Sequence, residues 1–413
     1  MWFLYNCLIS MTERGVMKLP FRSSKINLFK EGQKHVFELL EKKIDPNSLY
    51  LWIHVSSLGE FEQGRTLIEY IKRERKEYKV ILTFFSPSGY ELRKNYPYAD
   101  VVSYLPMDTK KNVLHFISLV KPAKAIFVKY EFWPNYLMEL KKRGIPTFLI
   151  SAVFKENQAF FRWYGKGYRK LLDCFTHIFV QDKESKELLD WINFSRVSIC
   201  GDTRIDSVIQ TKKNAKEIPL IELFAQNAKK HNRKVIIMGS SWEMEEECME
   251  KYAKYRQKDI QLIIAPHDIS ETHIQKIMER FSFLPTLRLS KANEKGMEDM
   301  RVLIVDCIGL LSSLYRYGEI AIIGGGFRGN IHNILEPAVY GLPILFGPDH
   351  KNFPEAVELL QMGGAFCFRE EKGMKQILDT LFENPSLLAQ SGNYSSAYIE
   401  SHSGGTERIM NRI

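Results

Sequence analysis

"LYLWIHVSSLGEFEQGRTLIEYIKRER", Leu49 to Arg75, passes from an unbroken apolar run to a segment whose apolar residues return every three or four positions. The first pattern is that of a strand buried on both faces, and the second that of an amphipathic helix. Ser57, Leu58, Gly59 and Glu60 stand at the change-over. They form an S-x-x-E capping box, in which serine and glutamate satisfy amides at a helix start. Capping accepts Glu or Gln at its last position, whereas a catalytic base needs the charge. Glu60 is therefore read both as a cap and as a candidate base.

The alternation continues outward from this stretch. "KVILTFF" (79–85), "AKAIFVKY" (123–130), "PTFLISA" (146–152) and "HIFVQ" (177–181) are further strand-like runs, most of them followed by helical periodicity. Beyond a lysine-rich joint near residues 208 to 220 the pattern restarts with "KVIIMGS", "QLIIAP", "VLIVD", "EIAIIGGG" and "PILFG". Strands alternating with helices predict parallel sheets covered on both faces, here in two sequential α/β domains. The 413 residues exceed the roughly 250 to 300 at which single cores stop growing.

A formal net charge of +9 attracts anions: a nucleic acid, an anionic membrane or a phosphorylated substrate. Nucleic acid is disfavoured, because zinc-finger spacing, an RNP-like aromatic strand and long Lys/Arg blocks are all missing. The six cysteines form no C-x-x-C pair, which points to free thiols in a reducing compartment. "MWFLYNCLIS" is far short of the ~20 residues that span a bilayer. Its aromatics, followed by Arg14, Lys18, Arg22 and Lys25, suit a segment lying on an anionic membrane surface.

In open parallel sheets ligands bind beyond the carboxyl ends of the strands. That rule selects Glu60, Glu131, Ser240, His267, Gly309 and the run from Gly324 to Glu336. In the last of these a glycine turn leads into a helix expected to begin near Asn333. Its amides and helix end would suit a phosphate, with Glu336 placed for ribose hydroxyls; a tight structural turn is the plain alternative. Ser240, Trp242 and Glu243 again have capping-box geometry. In "VKYEFWPN", Trp133 and Pro134 would hold the Glu131 carboxylate rigidly. Phe160, Phe161, Trp163, Tyr164 and Tyr168 interleave with Arg162, Lys166 and Arg169, as in a patch for an anionic amphiphile. Neither a D-x-D triplet, an H-E-x-x-H motif nor clustered His and Cys is present to hold a catalytic metal.

Taken in order, "SSLGE", "SPSGYE", "YEFWPN", "GDTRID", "VDCIGLLSSLY" and "HNILEPAVYGLPILFGPDHKNFPEA" carry a specific resemblance. The chain is similar to the bacterial Kdo transferases, the 3-deoxy-D-manno-octulosonic acid transferases of lipid A assembly, from about "FKEGQKHVFELL" to the C-terminus. The resemblance implies two Rossmann-like α/β domains facing one cleft, the glycosyltransferase B fold. Residues 1–30 would be a membrane-associating segment, 31–208 the acceptor-binding domain, and 209–413 the CMP-sugar-binding domain, whose last helix can pack back on the first. It also implies inverting transfer of Kdo from CMP-Kdo to the disaccharide of a lipid A precursor, without a metal or other cofactor. The location would be the cytoplasmic face of the inner membrane, peripheral or monotopic.

By the same matching Glu60 is the general base and Glu131 a second essential carboxylate. Ser240, His267, Ile308, Gly309, Arg328, Asn333 and Glu336 would line the donor site, and Arg162, Lys166 and Arg169 would meet the phosphates of the acceptor. Where relatives run Pro-Arg-His, Pro266-His267-Asp268 stands here, which puts His267 in the place of a basic donor contact. The rival readings are another sugar-nucleotide enzyme, such as a UDP-sugar transferase or epimerase, a nicotinamide-dependent oxidoreductase using Gly324 to Gly329, and a non-enzymatic membrane scaffold.

Overall fold

The computed structural model describes residues 2–18 and 23–413; Arg22 lies outside them. It contains two compact units, one of residues 1–207 with 403–413 and one of residues 208–402. The lysine-rich joint is helical over much of its length, as Thr203–Lys213, with Ile205 and Val208 buried. Pro219 then opens the helix Pro219–Lys230, where its missing N–H costs nothing.

In the first unit the apolar runs become β1 (Leu49–Val55), β2 (Tyr78–Phe84), β3 (Val101–Tyr104), β4 (Pro122–Val128), β5 (Thr147–Ala152), β6 (His177–Val180) and β7 (Val197–Ile199). They pair in parallel in the order β3-β2-β1-β4-β5-β6-β7. The order reverses between β1 and β4, so the crevice of this sheet opens beyond those two strands. Apolar clusters cover each face: Trp52, Phe116, Phe127, Tyr136 and Phe175 on one, Ile53, Phe61, Ile68, Phe84 and Ile126 on the other. The C-terminal helix Gly405–Met410 belongs to this unit, where Asp206 accepts from the amides of Gly404 at 2.7 Å and Thr406 at 2.6 Å.

The N-terminal helix Trp2–Lys18 is tied to the same unit through Asp108, which is fully buried. Tyr5 Oη donates to its carboxylate at 2.7 Å, and the amides of Asn135 and Tyr136 donate at 3.1 and 3.0 Å. Burial pushes the pKa of this carboxyl up to about 6, against the pull of those bonds. The two amides open the helix Pro134–Lys142, so one side chain joins the N-terminal helix to the loop that carries Glu131.

In the second unit the strands are β8 (Lys234–Ser241), β9 (Ile260–Pro266), β10 (Thr286–Arg288), β11 (Val302–Ile304), β12 (Ile320–Ile323), β13 (Ile344–Phe346) and β14 (Ala365–Cys367). Their order is β10-β11-β9-β8-β12-β13-β14, again all parallel. The switch falls between β8 and β12. It brings the end of β8, with Ser240, and Trp242 just after it beside the glycine turn after β12.

Candidate active site

At the first switch point the two glutamates marked by the sequence are held by neighbouring residues at the end of β1. Glu60 sits in the first turn of the helix Leu58–Glu74 and completes the capping box with Ser57. Its Oε2 accepts from the Ser57 amide at 2.9 Å and from the Ser57 hydroxyl. The cap thus uses Oε2 alone. Ser56, one residue earlier, helps to lower the pKa of the Glu131 carboxyl.

Glu131 follows β4 and is largely buried, its side chain 12% exposed. Trp133 Nε1 donates to its Oε2 at 2.7 Å, and His54 Nε2 meets the same oxygen at 3.2 Å. Burial works to raise the pKa of this carboxyl. The bond from His54, with the bond from Trp133 and the pull of Ser56, outweighs burial and holds it below the usual range. Lys129, two residues before it, has φ +62°. A left-handed backbone at a non-glycine residue costs on the order of 1–3 kcal/mol and is typical of functional loops. His54 escapes a sequence reading because it lies inside the apolar run "LYLWIHV". A polar residue in a two-face-buried strand was the available signal.

Beside Glu131, the alternate residues of the same loop, Tyr130, Phe132 and Pro134, line an apolar cavity of about 720 Å³, together with Trp2, Leu4, Leu8, Phe160 and Tyr168. Elsewhere on the same unit Phe3 is 78% and Trp163 93% exposed. Of the three basic residues expected near the acceptor, Arg162 and Lys166 are exposed. Arg169 donates Nε–H to the carbonyl of Phe160 at 2.8 Å, beside the turn Ala159–Phe161. No helix among the described residues is long and apolar enough to cross a membrane.

At the second switch point four side chains form a stack. The Arg328 guanidinium lies 4.0 Å from the Trp242 ring, Trp242 stacks on His267 at 4.6 Å, and His267 stacks on His332 at 4.5 Å. The structure therefore brings Arg328 and His267 together and adds Trp242 and His332, which the motifs did not assign. Asn333 and Glu336 pair with each other at 3.1 Å. Ile308, 87% exposed, and Gly309, with φ +94°, lie in the loop after β11.

Two expectations for this unit are corrected. The cap after β8 is not Ser240 with Glu243: the strand runs on through Ser241, with Ser240 at φ +49°. The helix begins at Glu243, and the Glu245 carboxylate accepts from the Trp242 amide at 3.2 Å. The glycine turn, in turn, is not an open phosphate cradle. The amides of Gly324, Arg328, Asn330 and His332 bond within the unit's own backbone, that of Gly325 to Glu245 and that of Gly329 to Asp349. Gly324 and Gly326 serve close packing, since a Cβ would stand 2.0 Å from Ser240 O and 2.5 Å from Gly347 N respectively. The helix that follows is only Leu335–Val339, too short for a useful dipole. Arg328 adds a charged side chain to what the turn can offer an anion.

His332 provides a pH test. Burial first, and the neighbouring His267 second, push its imidazole down to about 4 from the ordinary 6.5. Between those values the unfolded chain binds a proton that the folded chain does not, so stability falls as the pH drops from 6.5 toward 4. We expect His332→Asn to narrow the difference in melting temperature between about pH 7 and about pH 4.5. His177, also pushed to about 4, chiefly by burial, preserves part of it. Calorimetry at the two pH values checks this, and a difference as wide as that of the wild type would contradict it.

Known proteins share both sequence and architecture with this chain. A family model described as 3-deoxy-D-manno-octulosonic-acid transferase (kdotransferase) matches residues 27–207. The 3-deoxy-D-manno-octulosonic acid transferase of Aquifex aeolicus is 30% identical over 339 residues, covering 80% of this chain and 86% of that protein. The chain belongs to the Kdo transferase family. The Chlamydia muridarum member is 25% identical over 412 residues, 96% of this chain and 90% of its own length. Kdo transferases are glycosyltransferases, and this chain is one of them. Among solved structures, UDP-GlcNAc 2-epimerase from Neisseria meningitidis has a TM-score of 0.63 at 15% identity, covering 88% of this chain and 99% of that one. A glycosyltransferase from Rickettsia africae gives 0.54 at 13%, covering 88% and 97%. These likenesses establish the glycosyltransferase B architecture of paired Rossmann-like units.

Proposed function

We propose that this Kdo transferase moves Kdo from CMP-Kdo to the disaccharide of a lipid A precursor, with inversion, at the cytoplasmic surface of the inner membrane. The observation that carries the reading is the pair of glutamates held by His54 and Ser57 at one switch point, with the neighbours of Glu131 lining an apolar cavity. Glu60 is the base. Its Oε2 is spent on the cap, which leaves Oε1 for an acceptor hydroxyl; as that oxygen attacks the anomeric carbon, the proton passes to Glu60. Glu131 orients the acceptor. The bond from the anomeric carbon to phosphate oxygen breaks, and CMP departs with the electron pair. Only a monophosphate has to be stabilised, so Arg328, supported by His267 and Asn333, suffices without a metal; Ser240, Gly309 and Glu336 complete the donor site.

The acceptor reading is supported by the apolar cavity and by exposed Phe3 and Trp163, with Arg14, Lys18, Arg162 and Lys166 exposed on the same unit. Exposed aromatic and aliphatic groups flanked by basic residues favour an anionic membrane surface. The deciding experiment is transfer of Kdo from freshly made CMP-Kdo to a lipid A precursor in detergent, with product detected by mass. Appearance of the Kdo-bearing lipid is expected, and its absence with active protein would refute the reading. A thermal-shift comparison fixes the donor: CMP is expected to raise the melting temperature and UDP to leave it in place. The reverse order would favour a UDP-sugar enzyme.

A further inference from the structure

His54 is fully buried on β1, and its two ring nitrogens face partners of opposite kind. An ionised carboxylate can only accept a hydrogen bond, so Nε2 carries a proton toward Glu131, at 3.2 Å. Trp133 Nε1, which can only donate, sends its proton to the same carboxylate. Its 3.1 Å approach to His54 Nε2 is then a packing contact. Behind the ring, Trp52 Nε1 donates to Thr83 Oγ1 at 2.8 Å. With that lone pair taken, the hydroxyl proton of Thr83 is directed at His54 Nδ1, 2.9 Å away. Protons thus point one way from Trp52 through Thr83 and His54 to Glu131, and every donor in the chain has an acceptor.

We infer that His54 is a positioning residue for Glu131, and that Thr83, by donating to Nδ1, selects the tautomer that lets it act. This rests on the reading of Glu131 as part of the acceptor site. The chain is built from side chains of adjacent strands, β1 and β2, so the orientation of the carboxylate is set by the sheet rather than by its own loop. Outer partners of this kind fix ring orientation as second shells do around metal ligands. His54 is the titratable group that meets Glu131; the other groups that lower its pKa are Ser56 from the strand end and Trp133 from the loop.

The sharpest test is an isosteric change remote from substrate. In Thr83→Val the hydroxyl is gone, and the main-chain carbonyl of residue 83, 3.2 Å from Nδ1, becomes the acceptor for an Nδ1–H. The ring is then expected to switch tautomer, leaving bare Nε2 against the carboxylate. Long-range proton–nitrogen spectra of full-length protein labelled with ¹⁵N-histidine read this directly, with His54→Gln identifying the resonance. The wild type should carry its ring proton on Nε2 and Thr83→Val on Nδ1.

Transfer assays supply the second readout. His54→Leu should lower kcat about 10- to 100-fold, as removal of an outer partner does elsewhere. It should also move the acidic limb of the pH profile upward, because the largest of the interactions that offset burial of Glu131 is then gone. His54→Gln, which keeps a donor near the Nε2 position, should recover most of both. Circular dichroism confirms that each variant is folded. A wild-type ring protonated at Nδ1, or folded Leu and Val variants with unaltered kcat and pH profile, would overturn the inference. Were the wild type inactive on the lipid acceptor, the transferase reading would fail while the tautomer switch could still be seen.

Discussion

Glu60→Gln is expected to lower Kdo transfer by about 10² to 10⁴-fold while leaving thermal unfolding in place. The two halves of that result come from different properties of one side chain. The capping box is present in the structure, and a glutamine at the same position can still accept from the Ser57 amide, since Glu and Gln both serve there. What glutamine cannot do is take a proton from an attacking hydroxyl. Rates measured at saturating donor and acceptor, with melting temperatures alongside, separate the roles. A melt lowered together with rate would show that the cap needs the charge, and full activity with an intact melt would leave Glu60 a cap only. Glu60→Ala, which loses both functions, should show the combined effect. The cap's share should be about 1 kcal/mol, as for other N-terminal caps.

Arg328→Ala should cost about 10² to 10³ in kcat, the loss typical of removing one preorganised stabiliser of developing charge. The guanidinium rests on the face of Trp242 at 4.0 Å, which holds its plane and leaves its N–H edges pointing outward to a phosphate. Trp242→Leu retains the charge but removes the platform, so its effect should be smaller and should fall more on donor KM than on kcat. Arg328→Lys tests geometry against charge: a point charge on a flexible stem is expected to recover only part of the activity. Equal activity of Arg328→Ala and wild type would remove this residue from the donor site. Trp242 and His332 both pack against the His267 ring and meet each other through Trp242 Nε1 and His332 Nε2 at 3.3 Å.

The sheets were legible because two-face-buried strands are continuous apolar runs, a signal that needs no tertiary information. Glu60 and Glu131 were legible because each follows such a run directly. His54 was hidden by the same rule, being inside a run that reads as core. Trp242 and His332 acquire meaning only when β8, β9 and β12 lie side by side, which pattern alone does not state. The glycine turn was misjudged because spacing says nothing about whether an amide is already bonded, and here Glu245 and Asp349 occupy two of them. The cap after β8 was misplaced because Ser240 adopts a left-handed conformation within the strand, a tertiary requirement of its packing against Gly324.

Asp108 constrains how this protein can vary. Because its one carboxylate takes the hydroxyl of Tyr5 and the two amides that open the helix behind Trp133, the N-terminal helix is not an interchangeable address label. Grafting that helix from a relative would require carrying over Tyr5, Asn6 and Asn135, the last two joined at 2.8 Å. Sequence change is thus tolerated at the exposed Phe3 and Met11, whereas the inward face has to be inherited together with the loop that carries Glu131.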